Sequence, residues 1–191
     1  MTKPKVIIRR APEYDPVAIE KIIGEGLGEL GLAGRIKGRI TIKPNVVMAH
    51  PKVTPSAFTR SEFLDGVLGA LKNENSDVKI TIAEKCGAAI STSRMFQGAG
   101  YYRLARKRKV RLQPIEEAKK TTVALQKGKI HKTIRTAKEI VEHDFLVYTP
   151  KLKTNLLAQG LTAARILSPR TPSRFPWEEI TSPSMAGIWE S

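Results

Sequence analysis

Ammonium and amide side chains directly follow two apolar runs that are typical of buried strands. The first run, residues 40–42, leads into Lys43 and Asn45 across a proline, and the second, residues 145–148, leads across another proline into a pair of lysines. In an open α/β sheet, ligands bind beyond the carboxyl ends of the strands. Cationic side chains at such ends predict a site for a small anion that carries a phosphate or a carboxylate.

The second segment supplies Lys151 and Lys153, which share one face of an extended chain, and then Asn155. Two neighbouring ammonium groups repel one another unless an anion lies between them. Glu84 closes another apolar run, so we expect it at the same edge, where it could orient a lysine, act as a base or ligate a metal ion with His50. The alternative is a set of solvated turns, with Glu84 paired to a neighbouring lysine.

The charge of the chain also favours anionic partners. The 191 residues contain 33 Lys and Arg against 18 Asp and Glu, a net charge of +15. Such a surface attracts nucleic acid, anionic membranes and acidic metabolites alike. No apolar stretch is long enough to span a membrane, and the first residues lack the apolar core of a signal peptide, so we expect a soluble cytoplasmic protein without membrane contact.

One cysteine limits the cofactors that the chain itself can hold. Cys86 stands alone, which excludes an internal disulfide and an iron–sulfur cluster or zinc site built on several thiolates. Its neighbour Lys85 could lower the pKa of the thiol, although a lone cysteine after a strand is more often inert. No metal site is predicted, and the cofactor stays unknown.

Strand-like and helix-like patterns alternate, which predicts an α/β fold with a largely parallel open sheet and helices on both faces. Asp15 and Pro16 predict a helix start that continues to Gly31, and the glycines inside this helix either weaken it or allow close packing on the sheet. We expect one domain over residues 1–167 and an irregular Pro- and Ser-rich tail over 168–191. The remaining predicted strands are residues 6–8, 78–83, 110–112 and 121–125. Ser61 is expected to cap the second helix, and Ser91 or Thr92 to cap a third that continues through Arg108 with Tyr102 facing inward. A last helix is predicted from Thr136 to Glu142.

A basic run in the third helical pattern supports a second hypothesis, in which the protein binds nucleic acid. Its cations could contact phosphates, and the adjacent Tyr101 and Tyr102 could stack on bases. The alternative is the solvated end of a helix, where cations suit the helix dipole. Gly98 and Gly100, just before the run, are not a dinucleotide fingerprint and predict close packing or a kink. The cations are Arg103, Arg106, Lys107, Arg108 and Lys109.

The order of four short motifs resembles an uncharacterised family, the domain of unknown function 362. The motifs are residues 42–47 (IKPNVV), the histidine-containing loop at 50–54 (HPKVT), the strand end at 83–84 (AE) and residues 147–154 (VYTPKLKT). The resemblance covers roughly residues 5–165. Some relatives carry ferredoxin-like cysteine runs, so the resemblance implies an association with iron–sulfur proteins, but one cysteine cannot hold a cluster.

Two departures from the family pattern bear on function. Asn155 stands where the family usually has histidine, and after residue 164 the chain departs from the family's continuation. We therefore expect a truncated member, whose function is anion binding, as a redox-associated enzyme or a remnant of one. A third possibility is that such a remnant folds poorly or pairs with another protein chain.

Overall fold

The elements of the chain are arranged around a parallel sheet. The computed structural model describes residues 5–87, 90–125 and 132–151 and, for the backbone alone, three short strands beyond them. In chain order the elements are α1 (Pro16–Glu29), β1 (Arg39–Pro44), α2 (Ser61–Glu74), β2 (Lys79–Glu84), α3 (Thr92–Gly98), α4 (Tyr101–Arg108), β3 (Arg111–Pro114), β4 (Lys120–Ala124), β5 (Thr133–Ala137), α5 (Lys138–Val141), β6 (Phe145–Thr149), β7 (Thr154–Asn155), β8 (Gly160–Leu161) and β9 (Met185–Gly187).

The main sheet has the strand order β3-β2-β1-β6-β9, and each neighbouring pair is parallel. Ile42 of β1 lies opposite Ile82 of β2 on one side and Val147 of β6 on the other. The chain moves outward from β1 to β2 and β3 and then returns to the other side of β1 at β6. The connections that leave β1 and β6 therefore run in opposite directions, which makes their carboxyl ends a topological switch point.

The two faces of the sheet are covered by different elements. Helices α1, α2, α3 and α4 contribute to the larger apolar core, which the isoleucines of β1 and β2 share, whereas Ala83 packs on the opposite face with Ile115, Ala137 and Ile140. Right-handed crossovers that move in opposite directions along a parallel sheet must cover opposite faces. The division agrees with the strand order, and it confirms the predicted α/β class with helices on both faces.

The first helix begins where the sequence predicts. The Asp15 carboxylate accepts hydrogen bonds from the backbone N–H groups of Val17 and Ala18, and Pro16 occupies the first helical position. These are the N-terminal features that satisfy otherwise unpaired donors. Ile19, Ile23 and Leu27 form the buried stripe, as 3.6-residue periodicity requires.

The glycines that allow α1 and α2 to pack closely belong to α2 and not to α1. A Cβ atom added to any of the three glycines of α1 would meet nothing within 4 Å, so the alternative that they pack closely is wrong. In α2, a Cβ on Gly66 would lie 2.6 Å from Ile19 Cγ2 and 2.9 Å from the Pro16 carbonyl oxygen, and one on Gly69 would overlap Glu20. These two glycines let α1 and α2 approach each other.

The predicted strand at residues 6–8 is wrong. Val6 and Ile8 are exposed, and the segment makes no strand pairing. Both neighbours of β1 are already present as β2 and β6, so a central position in the sheet is not open to it. Lys5 and Arg9 instead bind Glu29 at the end of α1.

Two predicted helices differ in their limits. Gly100 has a φ of +77°, a left-handed conformation that ends one helix and begins the next, so the predicted helix through Arg108 is split into α3 and α4. A Cβ on Gly98 would overlap the Ala49 carbonyl, so the prediction of close packing and a kink at these glycines is confirmed. The predicted helix at 136–142 is shorter, because Thr136 belongs to β5, which pairs with β4.

Several predictions concern residues that lie outside the ranges described by the structure. The side chains of Lys153 and Asn155 lie outside the described residues, as do the domain boundary at residue 167 and most of the predicted tail. Within that tail, β9 pairs in parallel with β6. Among the described residues, no helix has the length and apolar character that crossing a bilayer requires.

The helix contact predicts opposite effects for two glycine substitutions. Gly66→Ala should lower the free energy of unfolding by about 1–3 kcal/mol, because the new methyl group overlaps Ile19 and the Pro16 carbonyl. Gly26→Ala meets no atom and should raise it by about 0.5–1 kcal/mol, through helix propensity alone. Urea denaturation of both variants measures this, and equal effects would contradict the packing described.

Candidate functional site

The carboxyl ends of β1, β2 and β6 lie side by side at one edge of the sheet. Lys43 lies opposite Tyr148, and Pro44 lies opposite Thr149, in the parallel pairing of β1 with β6. Lys151 follows two residues beyond the end of β6, and Glu84 is the last residue of β2. The structure therefore brings Lys43, Asn45, Glu84 and Lys151 to the same edge, which we call the rim.

Lys43 and Glu84 form a buried ion pair at the rim. The Lys43 ammonium lies 2.9 Å from Glu84 Oε1 and 2.8 Å from Oε2, and the two side chains are 13% and 7% exposed. The Lys85 backbone N–H donates to Oε1 at 2.7 Å, and Val46 adds a backbone hydrogen bond. The charge of Lys43 is thus balanced within the protein, as the alternative of a glutamate paired to a neighbouring lysine predicts.

Burial sets the protonation chemistry of Glu84. Removal from water raises the pKa of this carboxyl above its usual value, although Lys43 and the backbone donors oppose the shift. A carboxyl group whose pKa is raised by burial is more easily protonated than an exposed one, and the neighbouring ammonium group favours its charged form.

Asn45 holds the loop after β1 in place. Its side-chain Nδ2 donates to the Ala57 carbonyl at 2.9 Å, and its backbone N–H donates to Thr59 Oγ1 at 2.9 Å. The Thr59 backbone N–H returns a bond to the Asn45 carbonyl at 2.8 Å, and an antiparallel bridge joins Val46 to Phe58. At least one of the two Nδ2 hydrogens is therefore used to close the base of the loop.

Thr59 connects three elements, although nothing in the sequence singles it out. It is fully buried, and its hydroxyl donates to the Thr149 carbonyl at the end of β6 at 2.6 Å. Its own carbonyl accepts a hydrogen bond from the Tyr101 hydroxyl of α4 at 2.6 Å. These bonds fix the ends of β1 and β6 relative to each other.

Lys151 and Arg60 both approach the ring of Tyr14. The Lys151 ammonium lies 3.2 Å from the Tyr14 hydroxyl and 5.7 Å from the ring centroid, and the Arg60 guanidinium carbon lies 4.5 Å from the same centroid. Lys151 is only 8% exposed, which is rare for a lysine. Cation–π attraction helps to hold two cations at one place on the rim.

Helix α2 begins directly after Arg60, beside the contacts of Arg60 and Lys151 with Tyr14. Arg60 occupies the N-cap position and makes no side-chain hydrogen bond to the helix backbone, so the prediction that Ser61 caps this helix is wrong. The Ser61 hydroxyl donates to Glu62 instead, at 3.3 Å. Without a side-chain cap, the first backbone N–H groups of a helix carry partial positive charge toward whatever lies beyond them.

Two buried hydroxyl groups at the end of β6 lack a hydrogen-bond partner among the described residues, namely those of Tyr148 and Thr149. Tyr148 is 4% exposed, and burial, with the nearby negative charge of Glu84, raises the pKa of its hydroxyl. The hydroxyl therefore stays protonated at physiological pH. Sequence reasoning treated Tyr148 as an ordinary strand residue and missed it, as it missed Tyr14.

His50 and Cys86 contribute little to the candidate site. His50 is exposed, and its Nδ1 accepts a hydrogen bond from the Val53 N–H at 3.1 Å, which stabilises a local turn. In residues 5–87, 90–125 and 132–151, no three His, Cys, Asp or Glu side chains come together as a metal site would require. Burial raises the pKa of Cys86 to about 11, so the suggestion of a lowered thiol pKa is wrong.

The basic run lies in and just after α4, and it is partly neutralised. Asp65 of α2 binds Arg108, and it accepts from the Lys107 ammonium at 2.6 Å. Tyr101 is completely buried, so it cannot stack on a base, whereas Tyr102 is exposed. Arg103, Arg106 and Lys109 are exposed as well. Two of the five cations thus help to join α4 to α2, and nucleic-acid binding by this run stays a prediction.

The comparison with protein families identifies the group to which the chain is related. A family model described as Domain of unknown function (DUF362) matches residues 40–164, about two thirds of the chain. The chain belongs to the DUF362 family. The match begins in β1 and extends beyond β6, so it includes all six residues proposed for the site. Comparisons with curated proteins and with solved structures give no match.

Breaking the buried pair from one side should destabilise the protein in a pH-dependent way. Lys43→Met leaves the Glu84 carboxylate buried without its partner, which should lower the free energy of unfolding at pH 7 by about 3 kcal/mol. The loss should shrink as the pH falls, because removing Lys43 raises the pKa of Glu84 further and protonation removes the buried charge. A double variant, Lys43→Met with Glu84→Gln, should recover most of the stability. Chemical denaturation at several pH values measures this, and a Lys43→Met protein as stable as wild type at pH 7 would contradict it.

The contact between α2 and α4 predicts a second pH effect. Burial alone would raise the pKa of Asp65, but Lys107 and Arg108 outweigh it and hold the pKa below its ordinary value. The stabilisation is therefore present above about pH 4 and is lost as the pH falls further. Asp65→Asn should cost about 1–2 kcal/mol at pH 7, less than for a fully buried pair because the Lys107 side chain is 62% exposed.

The matched control is Glu25→Gln, which removes an exposed carboxylate that lies 4.0 Å from Lys21. It should change the free energy of unfolding by less than about 0.5 kcal/mol. Thermal unfolding of the three proteins between pH 3 and pH 7 provides the comparison. If Asp65→Asn behaves like Glu25→Gln, the pairs between α2 and α4 contribute no stability.

Proposed function

We propose that this protein binds a small anionic ligand, one that carries a phosphate or a carboxylate, at the carboxyl ends of β1 and β6. The observation that carries the proposal is that β1 and β6 are parallel neighbours whose chain connections leave in opposite directions. In open α/β sheets the crevice at such a switch point is where ligands bind. Lys43 lies next to the last residue of β1, and Lys151 follows the end of β6.

The charge at the rim supports an anion more than a neutral ligand. Lys151 and Arg60 are both held against Tyr14, and α2 begins there without a side-chain cap. Lys151 is 8% exposed and its ammonium lies 3.2 Å from the Tyr14 hydroxyl, so this cation is already held in a fixed position at the rim. An anion at the start of α2 would meet the helix dipole and both cations together.

The pairing of Lys43 with Glu84 divides the rim into two parts. Because that pair is neutral as a unit, it adds little to the attraction of an anion. The proposed anionic group therefore lies nearer to Lys151, Arg60 and the N-terminus of α2, and Lys43 and Glu84 contact the uncharged part of the ligand. Asn45 holds the loop that lies between these two parts.

Nucleic-acid binding, the alternative, has less support. The net charge of +15 favours it in general terms. However, Lys107 and Arg108 are bound to a buried carboxylate, and the adjacent Tyr101 is enclosed in the core. Three exposed cations, Arg103, Arg106 and Lys109, then account for what the run could offer to a phosphate backbone.

The proposed function predicts a charge-specific binding defect. Wild-type protein should bind inorganic phosphate, measured by calorimetry at constant ionic strength, and should be stabilised by it against heat. Lys151→Gln should weaken this binding by about 10-fold or more, because a charge-assisted hydrogen bond is lost.

Lys79→Gln is the matched control, because Lys79 is exposed at the opposite, amino end of β2 and the same charge is removed. Its affinity for phosphate should equal that of wild type. Equal weakening in both variants would show a general charge effect and would contradict a site at the rim. Absence of binding to phosphate and to simple carboxylates would reject the proposed function.

A further inference from the structure

The Tyr148 hydroxyl is buried without a hydrogen-bond partner in the described part of the chain. It is 4% exposed, and no described residue accepts its proton or donates to its oxygen. Native proteins pair nearly all buried polar side-chain groups, because an unpaired one loses its hydrogen bonds to water without replacement. Phenylalanine would fill the same space without that cost.

Tyr101 shows how this chain treats a buried tyrosine that serves the fold. Its ring is fully enclosed, and its hydroxyl donates to the Thr59 carbonyl at 2.6 Å. The hydroxyl of Tyr101 thus has a structural task, which that of Tyr148 lacks. The contrast indicates that the partner of Tyr148 comes from outside the described part of the chain, and a bound ligand would supply it.

The position of Tyr148 locates that partner. Tyr148 lies directly opposite Lys43 in neighbouring parallel strands, and opposite residues extend from the same face of a sheet. Glu84, which holds the Lys43 ammonium, is close enough for its charge to act on the Tyr148 hydroxyl. The hydroxyl therefore belongs to the part of the rim assigned above to the uncharged portion of the ligand.

We propose that Tyr148 is a specificity-determining residue, whose hydroxyl donates a hydrogen bond to an uncharged oxygen of the ligand, such as a carbonyl, beside the Lys43–Glu84 pair. This inference rests on the proposed function and narrows it. The ligand is then a small anion that carries an oxygen acceptor in addition to its phosphate or carboxylate group. Because the hydroxyl stays protonated, it acts as a donor and not as an acceptor of a ligand proton.

The test uses two carboxylates of equal charge, propionate and pyruvate, which differ by one carbonyl oxygen. Wild-type protein should bind pyruvate more tightly than propionate by about fivefold, the value of one hydrogen bond. Tyr148→Phe should remove this preference and leave the affinity for propionate unchanged. Titrations followed by protein NMR measure both affinities.

Unfolding of the ligand-free proteins provides an independent readout. Tyr148→Phe should keep or raise the melting temperature, because it removes an unpaired buried hydroxyl. Tyr101→Phe, the matched control, should lower the melting temperature, because the Thr59 carbonyl loses its donor, and should keep the preference for pyruvate.

The outcomes separate the two proposals. If wild type binds phosphate and both carboxylates but does not prefer pyruvate, or if Tyr148→Phe keeps the preference, the role of Tyr148 is wrong and anion binding stands. A fall in melting temperature for Tyr148→Phe equal to that of Tyr101→Phe would assign the hydroxyl to the fold and would also overturn the inference. If wild type binds neither phosphate nor either carboxylate, both proposals fail.

Discussion

The ion pair between Lys43 and Glu84 is the constraint on which the rim depends. Its two members end adjacent strands, and neither can change without leaving a charge buried. A buried ion pair is not in itself a strong source of stability, because two apolar residues of similar volume often serve as well. Its presence at the carboxyl edge of the sheet, where apolar residues would be sufficient for folding, is easier to understand as a requirement of the site than of the core.

A second set of contacts gives this edge its shape. Thr59 joins the loop after β1 to the end of β6 and to α4, so the switch point is held by hydrogen bonds as well as by the strand ladder. The close approach of α1 and α2 through Gly66 and Gly69 brings the first turns of the two helices near each other. Tyr14, immediately before α1, and Arg60, immediately before α2, consequently meet at the rim. The contact between Arg60 and Tyr14 thus depends on the packing of the two helices against each other and not on either helix alone.

The sequence was sufficient for features with a local cause. Apolar runs and the capping residue Asp15 predicted the strands and the start of α1, and the rule for parallel sheets placed Lys43, Glu84 and Lys151 at one edge. The sequence could not predict which side chains distant along the chain would form ion pairs or hydrogen bonds with each other. Glu84 pairs with Lys43, 41 positions earlier, and Lys151 reaches Tyr14, 137 positions earlier, because of helix packing and strand order.

Other predictions were wrong where the sequence pattern does not show which segment enters the sheet or which of two neighbouring side chains enters the core. The apolar triplet at residues 6–8 has the composition of a strand, but both places beside β1 are occupied. Tyr102 was expected to face inward and Tyr101 is buried instead, because the left-handed Gly100 begins a new helix and changes which side chain faces the core.

The loop between β1 and α2 is closed at its base by the bridge of Val46 to Phe58 and by the paired bonds of Asn45 with Thr59. Its outer part carries exposed apolar residues, Val47, Met48 and Val53, and a turn held by His50. Between these exposed residues Ala49 is buried in the larger core, and its backbone N–H donates to Met95 of α3. The loop is thus anchored at its base and again at Ala49, so substitution of its exposed apolar residues should leave the positions of Asn45 and Thr59 unchanged.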